Sequence, residues 1–145
     1  MGRRGDRATA ACEIETQRGV SQIHFDTNIV IDALHNRPEA WVEIQRATRA
    51  WISRMTWIEV LAGVPDGAST ETEEFLKLFA MAEIDEEVAR RAAAIRHQRK
   101  SMKVPDAVIL ASAQVSGRIL VTRNTKDFPA NMPGIRVPYI SPREG

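Results

Sequence analysis

Short apolar runs alternate along this chain with longer stretches of helical periodicity, and a carboxylate borders each of four such runs. Asp26 closes Ile23-His24-Phe25, and Glu59 follows the stretch from Trp51 to Met55 by one helical turn. Asp106 opens Ala107-Val108-Ile109-Leu110, and Asp127 lies just past Ile119-Leu120-Val121-Thr122. Alternation of this kind argues for βα units and a parallel sheet. Open parallel sheets bind ligands outside the carboxyl ends of their strands. With three of the acids following strands and Asp106 at the start of a helix packed beside them, all four would land on one rim.

The element boundaries expected from the pattern are these. Ile23 to Phe25 forms a first strand, and Asp26-Thr27-Asn28 caps a helix through about His35. Pro38 begins a helix to about Ala50, with Trp41 and Ile44 on one face. A second strand covers Trp51 to Met55, after which Thr56 caps a helix to about Leu61 that Gly63 and Pro65 end. Glu71 to Ala80 is helical, Met81 to Ile84 is a short strand, and Asp85 caps a long helix through Arg99. A helix starting at Pro105 ends at Gly117. Arg118 to Thr122 is a strand, and Gly134 to Ile140 supplies a last one near the sheet edge, given Pro138. Residues 1–21 lack periodicity and read as a flexible N-terminal extension.

With 145 residues, 43% hydrophobic and 27% charged, the chain suits one domain with a single sizeable core. No run approaches the roughly 18 apolar residues of a membrane span. The first twenty residues lack the apolar stretch of a secretory signal. The lone cysteine, Cys12, permits neither an internal disulfide nor a cysteine metal site, so a reducing cytoplasm is the expected location. Net charge is +1, which provides no bulk field for duplex nucleic acid. Yet Arg90, Arg91, Arg96, Arg99, Lys100 and Lys103 occur with no acid among them. Such a patch can bind phosphates while the whole protein stays neutral, or it can be a solvated helix face.

Each acid taken singly has a structural explanation. Thr56-Trp57-Ile58-Glu59 fits a capping box. Asp26 can be an N-cap, Asp106 can serve a helix dipole, and Asp127 can be a turn residue. Asp85, which also follows a strand and starts a helix, is assigned capping alone. Jointly, oxygen donors on a rigid rim suit Mg²⁺ or Mn²⁺, which retain several waters. Without a cation the same acids would raise one another's pKa values. No GxxxxGK[ST] or GxGxxG supports a nucleotide-binding alternative.

Four stretches, in order, resemble the motifs of the PIN-domain nucleases. They are Ile23 to Leu34 (IHFDTNIVIDAL), Ile52 to Gly63 (ISRMTWIEVLAG), Val104 to Ala113 (VPDAVILASA) and Leu120 to Phe128 (LVTRNTKDF). Within that family the likeness is to the VapC type, the toxins of bacterial toxin–antitoxin pairs. The resemblance implies a three-layer α/β/α domain over residues 22–145, with a mostly parallel sheet of four to five strands. It implies an endoribonuclease dependent on Mg²⁺ or Mn²⁺, acting on RNA, homodimeric, and neutralised by a small antitoxin. By position, Asp26, Glu59 and Asp106 match the acids of the first three motifs, with Thr27 and Asn28 supporting the first. The fourth motif leaves two positions open, Asn124 and Asp127; Asp127 is favoured because an amide binds a cation more weakly than a carboxylate, with Asn124 and Thr122 then supporting. Arg96, Arg99, Lys100 and Lys103 are candidates to guide the RNA backbone toward Asp106. Two alternatives stay open: a PIN-like module that binds RNA or a partner without cutting, and an RNA-processing nuclease that is not a toxin.

Overall fold

The computed structural model describes residues 22–140. The expected extension at 1–21, with Cys12, and the last five residues of the expected domain lie outside the described residues. Five parallel strands form one sheet in the order β3-β2-β1-β4-β5: β1 Gln22–Phe25, β2 Arg49–Ser53, β3 Ala80–Ala82, β4 Ile119–Val121 and β5 Ile135–Arg136. Six helices are present among the described residues: α1 Thr27–Leu34, α2 Pro38–Arg46, α3 Arg54–Ala62, α4 Ser69–Leu76, α5 Glu86–Gln98 and α6 Val104–Val115. None of them is long and apolar enough to cross a membrane.

Strand alternation sends residues to two cores. Ile23, Phe25, Ile52 and Val121 face one side, where Ile29, Val30, Ala40, Val60 and Leu76 from α1 to α4 cover them. Leu120 faces the other side, beneath Val88, Ala92 and Ile95 of α5 and the apolar face of α6. The result is the expected three-layer α/β/α arrangement, with every strand pairing parallel. Trp41 belongs to the first core, donating its indole N–H to the Ala33 carbonyl at 2.9 Å and meeting Phe75 edge-on. His24, between two core residues of β1, is wholly buried. Burial, then the charge of Arg118, pushes its imidazole down to about 3, so the ring is neutral.

Several boundaries differ from the sequence reading; α4, for one, ends at Leu76, and Ala80, expected in that helix, opens β3 by pairing with Trp51. Helix α2 stops at Arg46 and β2 begins at Arg49, because the register pairs Gln22 with Arg49 and Ile23 with Ala50 and so draws these two residues into the sheet. Ser53, not Thr56, caps α3, its hydroxyl accepting the Met55 N–H at 3.0 Å. Thr56 is therefore a buried interior residue of α3, and Glu59 is relieved of any capping-box duty. The last strand is only Ile135–Arg136, at the sheet edge as expected. Asp85 does cap α5, accepting from the Val88 N–H at 2.9 Å. Gly117, with φ of 68°, ends α6 where an L side chain would be strained.

Ile109 sits on α6 with no exposed surface. Ile109→Ala should cost about 2–5 kcal/mol through lost burial and an unfilled cavity. Urea unfolding should show this as a lower midpoint with an unchanged slope.

Candidate metal centre

β1 is the central strand, flanked by β2 and β4. The chain leaving the carboxyl end of each of these three strands carries an acid toward the same rim. Asp26 is the residue after β1 and the N-cap of α1, and it is 3% exposed. Its backbone N–H donates to the Val121 carbonyl at 2.9 Å, which ties the end of β1 to the end of β4. Oδ1 accepts the Thr27 N–H at 2.7 Å, and Oδ2 accepts the Thr122 hydroxyl at 2.7 Å. The Asn28 amide also reaches Oδ2, at 3.3 Å. Burial raises the Asp26 carboxyl above its ordinary range despite the Thr122 and Thr27 hydrogen bonds. The charge of Glu59 adds to the rise, and that of Arg123 opposes it.

Glu59 stands in the second turn of α3, and its Oε1 accepts the Thr27 hydroxyl at 2.7 Å. Thr27 thus holds two acids, one through its backbone N–H and one through its side chain. The Thr56 hydroxyl lies 3.0 Å from that of Thr27 and supplies the proton that Thr27 can accept. Sequence reasoning gave Thr56 a capping role and missed this support. A threonine one turn before an acid on the same helix face was the available signal.

Asp106 comes from the opposite layer, in the first turn of α6. Burial is the largest influence on its carboxyl, followed by the charges of Asp26, Asp127 and Glu59 and a hydrogen bond with Asp127. Together they push it up to about 6. Three of the acids that the sequence singled out, Asp26, Glu59 and Asp127, therefore bear on the fourth, Asp106, across one rim. Asp127 is aimed by Asn124, whose Nδ2 donates to Asp127 Oδ2 at 3.0 Å while its Oδ1 accepts the Asp127 N–H at 3.2 Å. Asn124 is thereby occupied as a support. The Thr122 hydroxyl accepts the Asn124 N–H at 2.9 Å, linking this loop back to Asp26.

Among the described residues, no three His, Cys, Asp or Glu side chains converge closely enough to hold a metal ion by themselves. The donor set fits a hard cation that keeps much of its water: oxygens only, from both layers, with the Asp106 carboxyl pushed up to about 6 by burial and by its acidic neighbours. The N-termini of α1 and α6 both end at this rim and add positive potential. Of the basic candidates, Arg99, Lys100 and Lys103 are exposed in the turn leading to Asp106. Arg96 instead donates to the Lys100 and Met102 carbonyls at 2.6 and 2.7 Å, so its guanidinium braces that turn.

Comparison with known proteins fits this geometry. The model of the PIN domain family matches residues 23–131. A search of curated proteins gives no match. Among solved structures, a toxin–antitoxin complex from Klebsiella pneumoniae contains a chain 39% identical to this one. That match covers 82% of this chain and 99% of the other, with a TM-score of 0.73. DNA-bound VapBC from Salmonella typhimurium matches at 24% identity over 79% of this chain and 95% of that one, with a TM-score of 0.66. FitAcB from Neisseria gonorrhoeae matches at 24% over 80% and 97%, with a TM-score of 0.65. The last two show the shared fold.

A carboxyl whose pKa is raised on folding binds protons more readily in the folded state, so it erodes stability as pH climbs from its ordinary range through its folded value. In metal-free buffer, Asp106→Asn should therefore be more stable than the wild type above about pH 6. That advantage should shrink as pH falls toward 4, in urea titrations at several pH values.

Proposed function

The chain belongs to the PIN-domain family, and from that premise we propose a divalent-metal-dependent endoribonuclease that serves as the toxin of a bacterial toxin–antitoxin pair. PIN domains are nucleases, so phosphodiester hydrolysis is the general activity. The toxin role and a small antitoxin partner are supported by the 39% identity to a chain of the Klebsiella pneumoniae toxin–antitoxin complex, nearly all of which is matched. The observation that supports the chemistry is the gathering of Asp26, Glu59 and Asp127 near enough to Asp106 to act on its carboxyl at one rim.

In this reading Asp26 and Asp106 hold the ion from two sides, one at the end of the central strand and one from α6. Mg²⁺ or Mn²⁺ bound there would lower the pKa of a water and offset charge on the phosphoryl group in transfer. Glu59, fixed by Thr27, orients water. Asp127, aimed by Asn124, aligns the attacking water for in-line displacement or serves a second ion. Thr122 and Asn28 keep Asp26 from rotating. Arg99, Lys100 and Lys103 lead the RNA backbone along the turn to α6 through phosphate contacts, and Arg96 keeps that turn in shape. Cleavage of the bond between phosphorus and the 3′-oxygen leaves a 5′-phosphate and needs no 2′-hydroxyl nucleophile. The same reading includes a homodimer, for which Val42, exposed on α2, is one apolar residue open to contact.

A second reading, a PIN module that holds RNA or a partner without cutting, draws on the absence of a ready-made three-acid cage among the described residues. One experiment addresses both. Purified protein should cleave labelled RNA with Mn²⁺, and 2′-O-methylation at the cut site should not stop it. Asp26→Asn and Asp106→Asn should fall to background while still folding. Full cleavage in EDTA contradicts the metal reading, and wild-type protein that neither cleaves RNA nor binds Mn²⁺ in calorimetric titration supports the silent module.

A further inference from the structure

Below the acidic rim lies a second polar cluster that the proposed chemistry does not use. Asp32, on α1 and two turns from Asp26, is buried at 8% exposure. Its Oδ2 and Oδ1 accept Arg123 Nε and Nη2 at 2.7 and 3.1 Å. The Tyr139 hydroxyl donates to Oδ2 at 2.8 Å, and Arg37 Nη1 lies 3.6 Å from the same oxygen. Arg37 in turn stacks over the Tyr139 ring at 4.3 Å and donates to the Ile140 carbonyl at 2.9 Å.

We propose that Asp32 is a positioning residue for the acidic site: its two-point ion pair with Arg123 sets the loop from Thr122 to Asp127, and so the aim of Asp26 and Asp127. This rests on the metal-dependent reading above. The argument is geometric. Helix α1 carries Asp26 at its cap and Asp32 within its body. The chain after β4 carries Thr122, which touches Asp26, and next to it Arg123, which touches Asp32. These two pieces are therefore pinned to each other at two places along α1. The contacts at the rim, from the Thr122 hydroxyl to Asp26 and from the Asn28 amide to Thr122, lie close together and by themselves would let the loop pivot. The second contact, through a planar guanidinium fork with a fixed geometry, removes that freedom. The Arg123 N–H also approaches Asn28 Oδ1 at 3.4 Å, on the same face of α1 as the rim. Everything downstream of the pivot is part of the site: the Asn124 N–H held by Thr122, and Asp127 held by Asn124. Tyr139 adds a further contact to the ion pair and so ties its own segment to the support of the site.

The test is calorimetric titration of the full chain with Mn²⁺, run beside urea unfolding of each metal-free protein. Asp32→Asn and Arg123→Lys, which keeps the charge but not the fork, should weaken Mn²⁺ binding by about 10- to 100-fold, as lost outer support does in metal sites. Tyr139→Phe should give a smaller loss in the same direction. The control is Leu76→Ala, a buried core residue of α4, which carries none of the four acids and no residue of this cluster. It should lose stability and keep the wild-type Mn²⁺ affinity. Wild-type affinity in Asp32→Asn and Arg123→Lys would overturn the proposal, as would an equal loss in Leu76→Ala. If Asp32→Asn fails to fold, Arg123→Lys and Tyr139→Phe decide. A wild type that binds no Mn²⁺ defeats the underlying metal reading, and this inference falls with it, whereas a wild type that binds beside unaffected variants defeats this inference alone.

Discussion

A carboxylate withdrawn from water at the end of the central strand governs this molecule. Removing an ionised acid from solvent costs several kcal/mol unless hydrogen bonds and opposite charge compensate. Asp26 receives a hydroxyl, a backbone N–H and the positive end of α1, yet burial still prevails and lifts its pKa. The fold then adds to the cost by directing Glu59 and Asp106 into its field. No stability argument favours such a grouping, because carboxylates in proximity oppose one another's ionisation. A cation held among them, as proposed, would offset that opposition.

The rest of the architecture follows from where Asp26 stands. With the order β3-β2-β1-β4-β5, the chain steps outward from β1 to β3 and then returns to β4 on the other side of β1. That reversal falls between β1 and β4, where the connections after the two strands diverge and leave a crevice. Asp26 and Thr122 are the two residues facing each other across it. Glu59 arrives from the helix after β2, and Asp106 arrives from the layer that covers the opposite face. The polar residues between the acids are nearly all committed to aiming them. Thr27, Thr56, Asn28, Thr122 and Asn124 each bond an acid or the residue that bonds one. The scaffold is consistent with an open site whose geometry is fixed by partners rather than by the ion alone.

Much of this was legible in the residues themselves. Short apolar runs bordered by acids marked both the parallel strands and the rim, since strand ends in such sheets are where functional residues collect. Asp85 shows why the pattern needed a discriminator: it too follows a strand and caps a helix, yet its side chain is spent on the Val88 N–H. The boundary of α2 was less legible, because sheet register drew Arg49 and Ala50 into β2 while their local sequence continued the helical pattern. The Thr56-to-Glu59 spacing imitated a capping box, and only the tertiary contact with Thr27 separates the two roles. The partnership of Asp32, Arg123 and Tyr139 joins residues 91 and 107 positions apart, and no local signal announces such pairs. Arg96 looked like its basic neighbours in sequence, and its two backbone carbonyl partners distinguish it.

One measurement bears most directly on the claim that these acids form a cation site. Crystals of the wild-type protein grown or soaked with Mn²⁺ would give an anomalous difference map at the manganese absorption edge. The account predicts a peak between Asp26 and Asp106, within reach of Glu59 or Asp127 directly or through water. A map with no peak at that rim, or with manganese bound only elsewhere, would contradict it.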